Sequence, residues 1–318
     1  MAAKNGFVRA MIYDQNLYII SKTGGIYSRE YAILHAIYRS IISAPERLPN
    51  IEFAFNVDDV VGDPAPIWAL ARRAEDKHLW LMPDFGFFSW PETKVGSWNE
   101  VQSKIISDEE TALYDWTSKV QKLFWRGATL GLSIRERLVA VTEQQTTWAD
   151  VKTLTWRDPD SMANDLKTMP EHCQYKYLMH TEGVSYSGRL KYLQSCRSVI
   201  IAHSLEWIQH HHHLMHHSGP QQNYVLVQRD LEDLHVKVLQ LQENDEEARR
   251  IADSNVKTFR ERYLTQSAET CYWRKLIHGW ASVSHEPRFH DEKNGTKVWR
   301  GLPIESFFLE RKMEWDPY

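Results

Sequence analysis

The stretch from His172 to Trp207, HCQYKYLMHTEGVSYSGRLKYLQSCRSVIIAHSLEW, constrains the fold more than any other part of the chain. Two apolar runs, Tyr175 to Met179 and Val199 to Ala202, read as short buried strands. Between them lie Glu182-Gly183 and the small polar residues Ser185, Ser187 and Gly188. Arg189 then opens a segment with Leu190 and Leu193 at helical spacing. The order strand, Gly/Ser loop, helix, strand is the unit that cradles a nucleotide diphosphate. A helix N-terminus offers unpaired N–H groups and a partial positive charge, and small residues let the backbone approach the phosphates. Arg189, in the first turn, would supply a planar charged fork to the same oxygens.

A chain of 318 residues can bury a large core, as two domains or one large α/β domain. The net charge of −4 speaks against nucleic acid as a partner. Thirteen tryptophans serve either core packing or the stacking of aromatic faces on sugars. No apolar run reaches the length of a membrane span, about 18 residues. The N-terminus, MAAKNGFVRAMIYDQNLYII, lacks the charged-then-apolar order of a signal peptide, and taken alone reads as cytoplasmic. Three cysteines, Cys173, Cys196 and Cys271, do not make a complete disulfide framework.

Residues 5–20 predict a hairpin around the polar turn Asp14-Gln15-Asn16, and Tyr31 to Ile42 predicts a helix that Pro45 and Pro49 end. The strand Ile51 to Val57 runs into Asp58-Asp59 and then Gly62-Asp63-Pro64. Carboxylates just past such a strand sit where α/β folds place their sites. In WLMPDFGFFSWPE, the Asp84-Phe85-Gly86 triplet invites a kinase reading, which the absence of a Gly-rich loop and a His-Arg-Asp loop excludes. Lys122 to Thr129 reads as a strand running into a Gly turn, with Arg126 and Gly127 at its end. Arg135 and Arg137 on the next helix add positive charge.

Two metal signals are weak. Asp158-x-Asp160, near Trp148, Asp150 and Trp156, sits in a Pro-containing loop without a preceding apolar strand. His210 to His217 holds six histidines, but no carboxylate or Cys pattern closes a site there. Four consecutive side chains also cannot all face one ion on a helix. The run reads as a local embellishment, and no metal site is expected. Beyond it, Asn223 to Val227 reads as a strand and Asp230 as the N-cap of a helix. Residues 231–263 read as helical and highly charged, Thr270 to Trp280 as an amphipathic helix, and 284–318 as a polar tail wrapping the surface.

His172-Cys173-x-Tyr175-Lys176-Tyr177-Leu178, Glu182-Gly183-Val184, Ser187-x-Arg189-Leu190-Lys191, Cys196 and Glu206-Trp207 together resemble the core of the CAP10/Rumi glycosyltransferases, glycosyltransferase family 90. That family includes fungal capsule-type xylosyltransferases and animal protein O-glucosyltransferases. The resemblance extends over residues 5–310 through Asn56-Val57-x-Asp59, Pro83-Asp84…Trp90-Pro-Glu92 and Trp125-Arg126-Gly127. It implies an α/β GT-B-like fold, two Rossmann-like halves facing a cleft. Residues 1–116 would form the acceptor-side half and 117–254 the nucleotide-sugar-binding half, with the C-terminal helices and tail, 255–318, returning to the first.

The implied activity is inverting, metal-independent transfer of xylose or glucose from a UDP-sugar to a hydroxyl of a glycan or protein. The UDP-sugar is a co-substrate, and no cofactor is implied. By resemblance Asp59 is the catalytic base, and Trp90 and Glu92 line the acceptor side. Arg126, Gly127, Thr129, Ser185, Ser187, Arg189 and Asp230 bind the donor. Cys173 and Cys196 would form a disulfide worth about 3 kcal/mol in an oxidising compartment.

Cys271 resembles a cysteine that bonds to an N-terminal one, which this chain lacks. The implied location is the secretory lumen, Golgi or ER, behind a membrane anchor also absent here. The chain is then a truncated form, or a member without targeting. Two features depart from the pattern. The His run replaces an aromatic, apolar segment, and Ala128-Thr129-Leu130 stands where the animal enzymes place a second Arg. The rival readings are a truncated or inactive carbohydrate- or nucleotide-binding module of the same fold, and a metal-dependent enzyme built on the His run or Asp158-x-Asp160.

Overall fold

The computed structural model describes residues 5–62, 65–155 and 158–313. Asp63, Pro64, Trp156 and the Asp160 side chain, named above, lie outside the described residues. The chain divides into two compact units, residues 1–94 with 266–318, and residues 95–265.

The first unit opens with an antiparallel hairpin, β1 (Phe7–Tyr13) and β2 (Asn16–Thr23). Asp14 and Gln15 both take positive φ, 46° and 67°, the two-residue turn whose twist matches that of paired strands. α1 (Arg29–Ile42) buries Ile33, Leu34, Ile37 and Ile41. β3 (Ile51–Asn56) pairs antiparallel with β1, and β4 (Ile67–Ala69) and β5 (Leu79–Leu81) continue the sheet in parallel. The sheet is therefore mixed.

The second unit begins with α2 (Trp98–Glu110), whose start carries a Ser97/Glu100 capping box. The Trp98 indole donates to the Leu264 carbonyl at 3.0 Å, and Glu109 pairs with both Arg197 and Arg260. These contacts put residues 95–116 and 255–265 in this unit. The boundaries therefore fall after 94 and 265, not after 116 and 254.

The five-stranded sheet is wholly parallel: β6 (Val120–Gly127), α3 (Ser133–Thr142), β7 (Ala149–Thr153), β8 (Tyr175–His180), α4 (Leu190–Ser195), β9 (Val199–His203), β10 (Val225–Val227), in the order β10-β9-β8-β6-β7. Every residue of β8 and β9 is buried, as expected of strands covered on both faces. α5 (Leu234–Glu243) and α6 (Asp245–Thr258) follow; Leu234, Val238, Ile251 and Ala252 join Trp125, Tyr177 and Ile201 in one core. A Cys173–Cys196 disulfide, with Cα atoms 5.0 Å apart, ties the approach to β8 to the end of α4. Cys271 is free and exposed.

The chain then rejoins the first unit. α7 (Gln266–Ala281) sets Trp273 and Trp280 against Trp68, ring centres 6.2 and 5.9 Å away. The tail does not simply wrap the surface. β11 (Leu302–Pro303) pairs with Ile19 and Tyr18 at the open edge of β2, and α8 (Ile304–Glu310) buries Ile304 and Phe307. Leu302 is buried as well, the Phe289 ring stacks on Tyr13 with centres 4.6 Å apart, and Arg300 pairs with Glu52 at 2.9 Å.

Candidate functional site

In a parallel α/β sheet, ligands bind beyond the C-terminal ends of the strands. At the end of β6, Arg126 is buried and largely spoken for. Its Nη2 pairs with Asp150 at 2.7 Å; Nη1 donates to the Trp125 and Asp150 carbonyls, and Nε to that of Asp165. Its side chain holds β6 to β7 rather than facing an open site. What Arg126 presents is its carbonyl, which accepts from Arg189 Nη1. Gly127 makes that approach possible: a Cβ there would lie 2.9 Å from Arg189 Nη2 and 2.9 Å from the Trp125 ring.

Arg189 precedes α4, and its pKa is pushed down to about 9 by burial and by the charge of Arg135. Arg135, on α3, is buried and donates to the Glu182 carbonyl at 2.9 Å and the Ala128 carbonyl at 2.8 Å; burial lowers its pKa too. Among the described residues neither guanidinium has a carboxylate partner. Buried Arg135 and half-buried Arg189 are thus neighbouring cations whose hydrogen-bond acceptors, among the described residues, are backbone carbonyls, with the Trp125 ring 5.7 Å from the Arg189 guanidinium; a charge drawn out of water without a counter-charge is costly. Ser185, in the intervening loop, has a buried hydroxyl with no hydrogen-bond partner among the described residues.

Glu182 ties the loops of this edge together. Its carboxylate accepts the backbone N–H groups of Glu206 and Trp207 at 2.8 and 2.7 Å and pairs with Arg229 at 2.9 Å. This gives the Glu182-Gly183 and Glu206-Trp207 motifs one structural reason. Gly127 and Arg189 thus come together, with Arg126 behind them.

Thr129 contributes its carbonyl to the Leu132 N–H and its side chain to a groove of about 530 Å³ along α3 and β7. Asp230 is exposed and does not cap the helix: α5 starts at Leu234 behind Asp233, while Asp230 accepts from Glu232 N–H at 3.1 Å. α4 has only six residues, too short for much of a helix dipole. Ser187 closes the turn before α4 through its carbonyl.

In the His run, His210 and His211 are buried. Burial and then neighbouring His212 push the His210 pKa down to about 3. Among the described residues no three His, Cys, Asp or Glu side chains group as metal ligands.

In the first unit, Asp59 lies just beyond β3, with its Oδ1 accepting from Arg29 Nη1 at 2.9 Å. Its backbone N–H donates to Asp58, and that of Asp58 to Asn56. Trp90 packs edge-on to Phe85, and Glu92 accepts from the Ser28 N–H at 2.6 Å. Burial alone would raise the Glu92 pKa; hydrogen bonds from Ser28 and the charge of Arg29 bring it below the usual value. Asp59, Trp90 and Glu92 therefore gather around the start of α1, through Ser28, Arg29 and Phe85.

Sequence reasoning passed over Arg29, gave Glu182 a place in the motif but no role, and treated Arg135 only as added charge. On helical spacing nothing separates Arg135 from its neighbour Arg137, which is exposed.

Known proteins resemble this chain. Protein O-glucosyltransferase 1 of Homo sapiens is 25% identical over 257 residues, covering 74% of this chain and 64% of that protein. The O-glucosyltransferase rumi homolog of Aedes aegypti is 28% identical over 244 residues, 73% of this chain and 55% of that protein. O-glucosyltransferase rumi of Drosophila melanogaster is 26% identical over 254 residues, 72% and 60%. The chain thus spans less than two thirds of the length of these relatives. The model of Glycosyl transferase family 90 matches residues 1–299, nearly the whole chain, and the chain belongs to that family.

Proposed function

We propose that this protein is an inverting glycosyltransferase of GT-B type that moves glucose or xylose from a UDP-sugar to a hydroxyl in one step, without a metal. The observation that carries the reading is the pair of neighbouring guanidiniums, buried Arg135 and half-buried Arg189, without a carboxylate partner among the described residues. Such a site is built for a diphosphate. Ser185, whose hydroxyl has no hydrogen-bond partner among the described residues, and the loop through Ser187 complete the donor side; Gly127 gives Arg189 room, and Arg126 positions it.

In the reaction Asp59 takes the proton of the acceptor hydroxyl. The oxygen forms its bond to the anomeric carbon, the bond from that carbon to the β-phosphate oxygen breaks, and UDP leaves with the electron pair. Arg135 and Arg189 stabilise the charge gathering on the diphosphate. A preorganised donor of this kind is worth roughly 3–4 kcal/mol, and general-base help about 10²–10⁴-fold. Trp90 and Glu92 serve the acceptor. The relatives' names favour glucose and a protein hydroxyl. The disulfide supports an oxidising compartment, the secretory lumen. Among the described residues no helix is long and apolar enough to cross a membrane.

The test is UDP release from a panel of UDP-sugars, with and without EDTA, beside calorimetric titration with UDP. EDTA-resistant turnover of one UDP-sugar, abolished in Asp59→Asn while UDP still binds, is the expected result. Absence of UDP binding to folded protein refutes the donor site, and loss of turnover in EDTA refutes the metal-free mechanism.

A further inference from the structure

Arg29 is the first residue of α1, and its side chain is only 15% exposed. Its Nη1 donates both to Asp59 Oδ1 at 2.9 Å and to the Val57 carbonyl at 3.1 Å. The guanidinium lies 4.6 Å from the centre of the Phe85 ring. The cation is therefore held on three sides, by a strand end, an aromatic face and its own helix. Asp59 is different. It stands on an irregular segment past β3, and its side chain is 42% exposed. Among the described residues Arg29 is its one side-chain partner, and Oδ2 accepts nothing. An exposed carboxylate without that anchor rotates freely, whereas a general base must hold hydrogen-bond reach of its proton, about 2.6–3.2 Å.

We propose that Arg29 is the positioning residue of the acceptor side: it pins Oδ1 of Asp59 so that Oδ2 is presented to the acceptor hydroxyl. This rests on Asp59 being the base. The same helix start serves Glu92, whose carboxylate accepts from Ser28. One rigid corner thus orients both acceptor-side carboxylates. Arginine suits the task because its planar fork can hold a carboxylate while stacked on a ring; lysine offers only a point charge.

The test uses UDP-glucose, with water as acceptor, scored as UDP release by wild type, Asp59→Asn, Arg29→Gln and Arg29→Lys. A misplacement of about 1 Å costs on the order of 10²-fold. Arg29→Gln should therefore lose about 10–100-fold in kcat, with donor KM and UDP affinity unchanged. Arg29→Lys should fall between it and wild type. An inactive Asp59→Asn beside an Arg29→Gln of wild-type kcat overturns the positioning role and leaves the base intact. A fully active Asp59→Asn overturns the base, and this inference with it. Should Arg29→Gln fail to fold, Arg29→Lys decides: reduced kcat at constant KM upholds the role, and unchanged kcat overturns it.

Discussion

Replacing Gly127 by alanine tests the donor site through a single methyl group. The new Cβ would meet Arg189 Nη2 at 2.9 Å and Trp125 Cζ2 at 2.9 Å, with Trp125 Cη2 at 3.2 Å. Relaxed contacts between such atoms lie near 3.5–4.0 Å, so well over half an ångström must be found. Trp125 cannot supply it: the ring is buried in the core and its Nε1 donates to Thr181 at 3.1 Å. Arg189 is the movable partner, and moving it breaks its bond to the Arg126 carbonyl. Overpacking costs typically 1–3 kcal/mol, and a displaced guanidinium loses charge-assisted bonds to phosphate worth about 1.5–3 kcal/mol. At about 1.4 kcal/mol per tenfold, UDP affinity should fall roughly 10–100-fold. Calorimetric titration of UDP into Gly127→Ala measures this directly, with thermal unfolding to show that the variant is folded. A folded variant that binds UDP within threefold of wild type refutes the placement of Arg189 at the diphosphate.

Arg135→Ala and Arg189→Ala should each raise the UDP Kd tenfold or more, while Arg126→Ala should chiefly lower the unfolding temperature, since it leaves Asp150 without its cation; equal UDP effects from all three would contradict this division of labour. Replacing Cys173 and Cys196 together by serine frees a loop spanning 23 residues and should cost about 3 kcal/mol in urea unfolding; an unmoved midpoint would show that the disulfide does not constrain the chain. His172 and His210 are buried with pKa values pushed down to about 3, by burial first and then by neighbouring cations or histidines. Unfolded, each binds a proton below about pH 6.5, so stability present above that pH is lost as pH falls toward 3, about 3 kcal/mol per unit for the two. A urea midpoint that does not fall between pH 6.5 and 5 would sink this account.

The parallel unit was readable because each of its parts has a local signature. β8 and β9 are continuous apolar runs, and the loop between them is Gly/Ser-rich. The hairpin of β1 and β2 was equally plain, because a polar turn between apolar strands is a local pattern. Arg29 carried no signature, since it is one charged residue at a helix start, and its pairing with Asp59 spans a separation the sequence does not mark. The tail reads as polar because Leu302, Ile304 and Phe307 are few among charged neighbours and the helix carrying two of them is short; an open strand edge gives them their meaning.

Arg126 shows where the division lies. Strand ends, glycine turns, the candidate base and the family resemblance depend on residue types at short spacing, and these the chain states openly. Which of its arginines faces a ligand does not follow from spacing. Arg126 sits in the motif yet turns to Asp150, while Arg135, outside it, is brought near Arg189 and, among the described residues, donates to carbonyls alone. A guanidinium reaches several ångströms in any direction, and its role is set by which counter-charges the fold brings near it. That balance of burial and charge exists only once the strands and helices have packed.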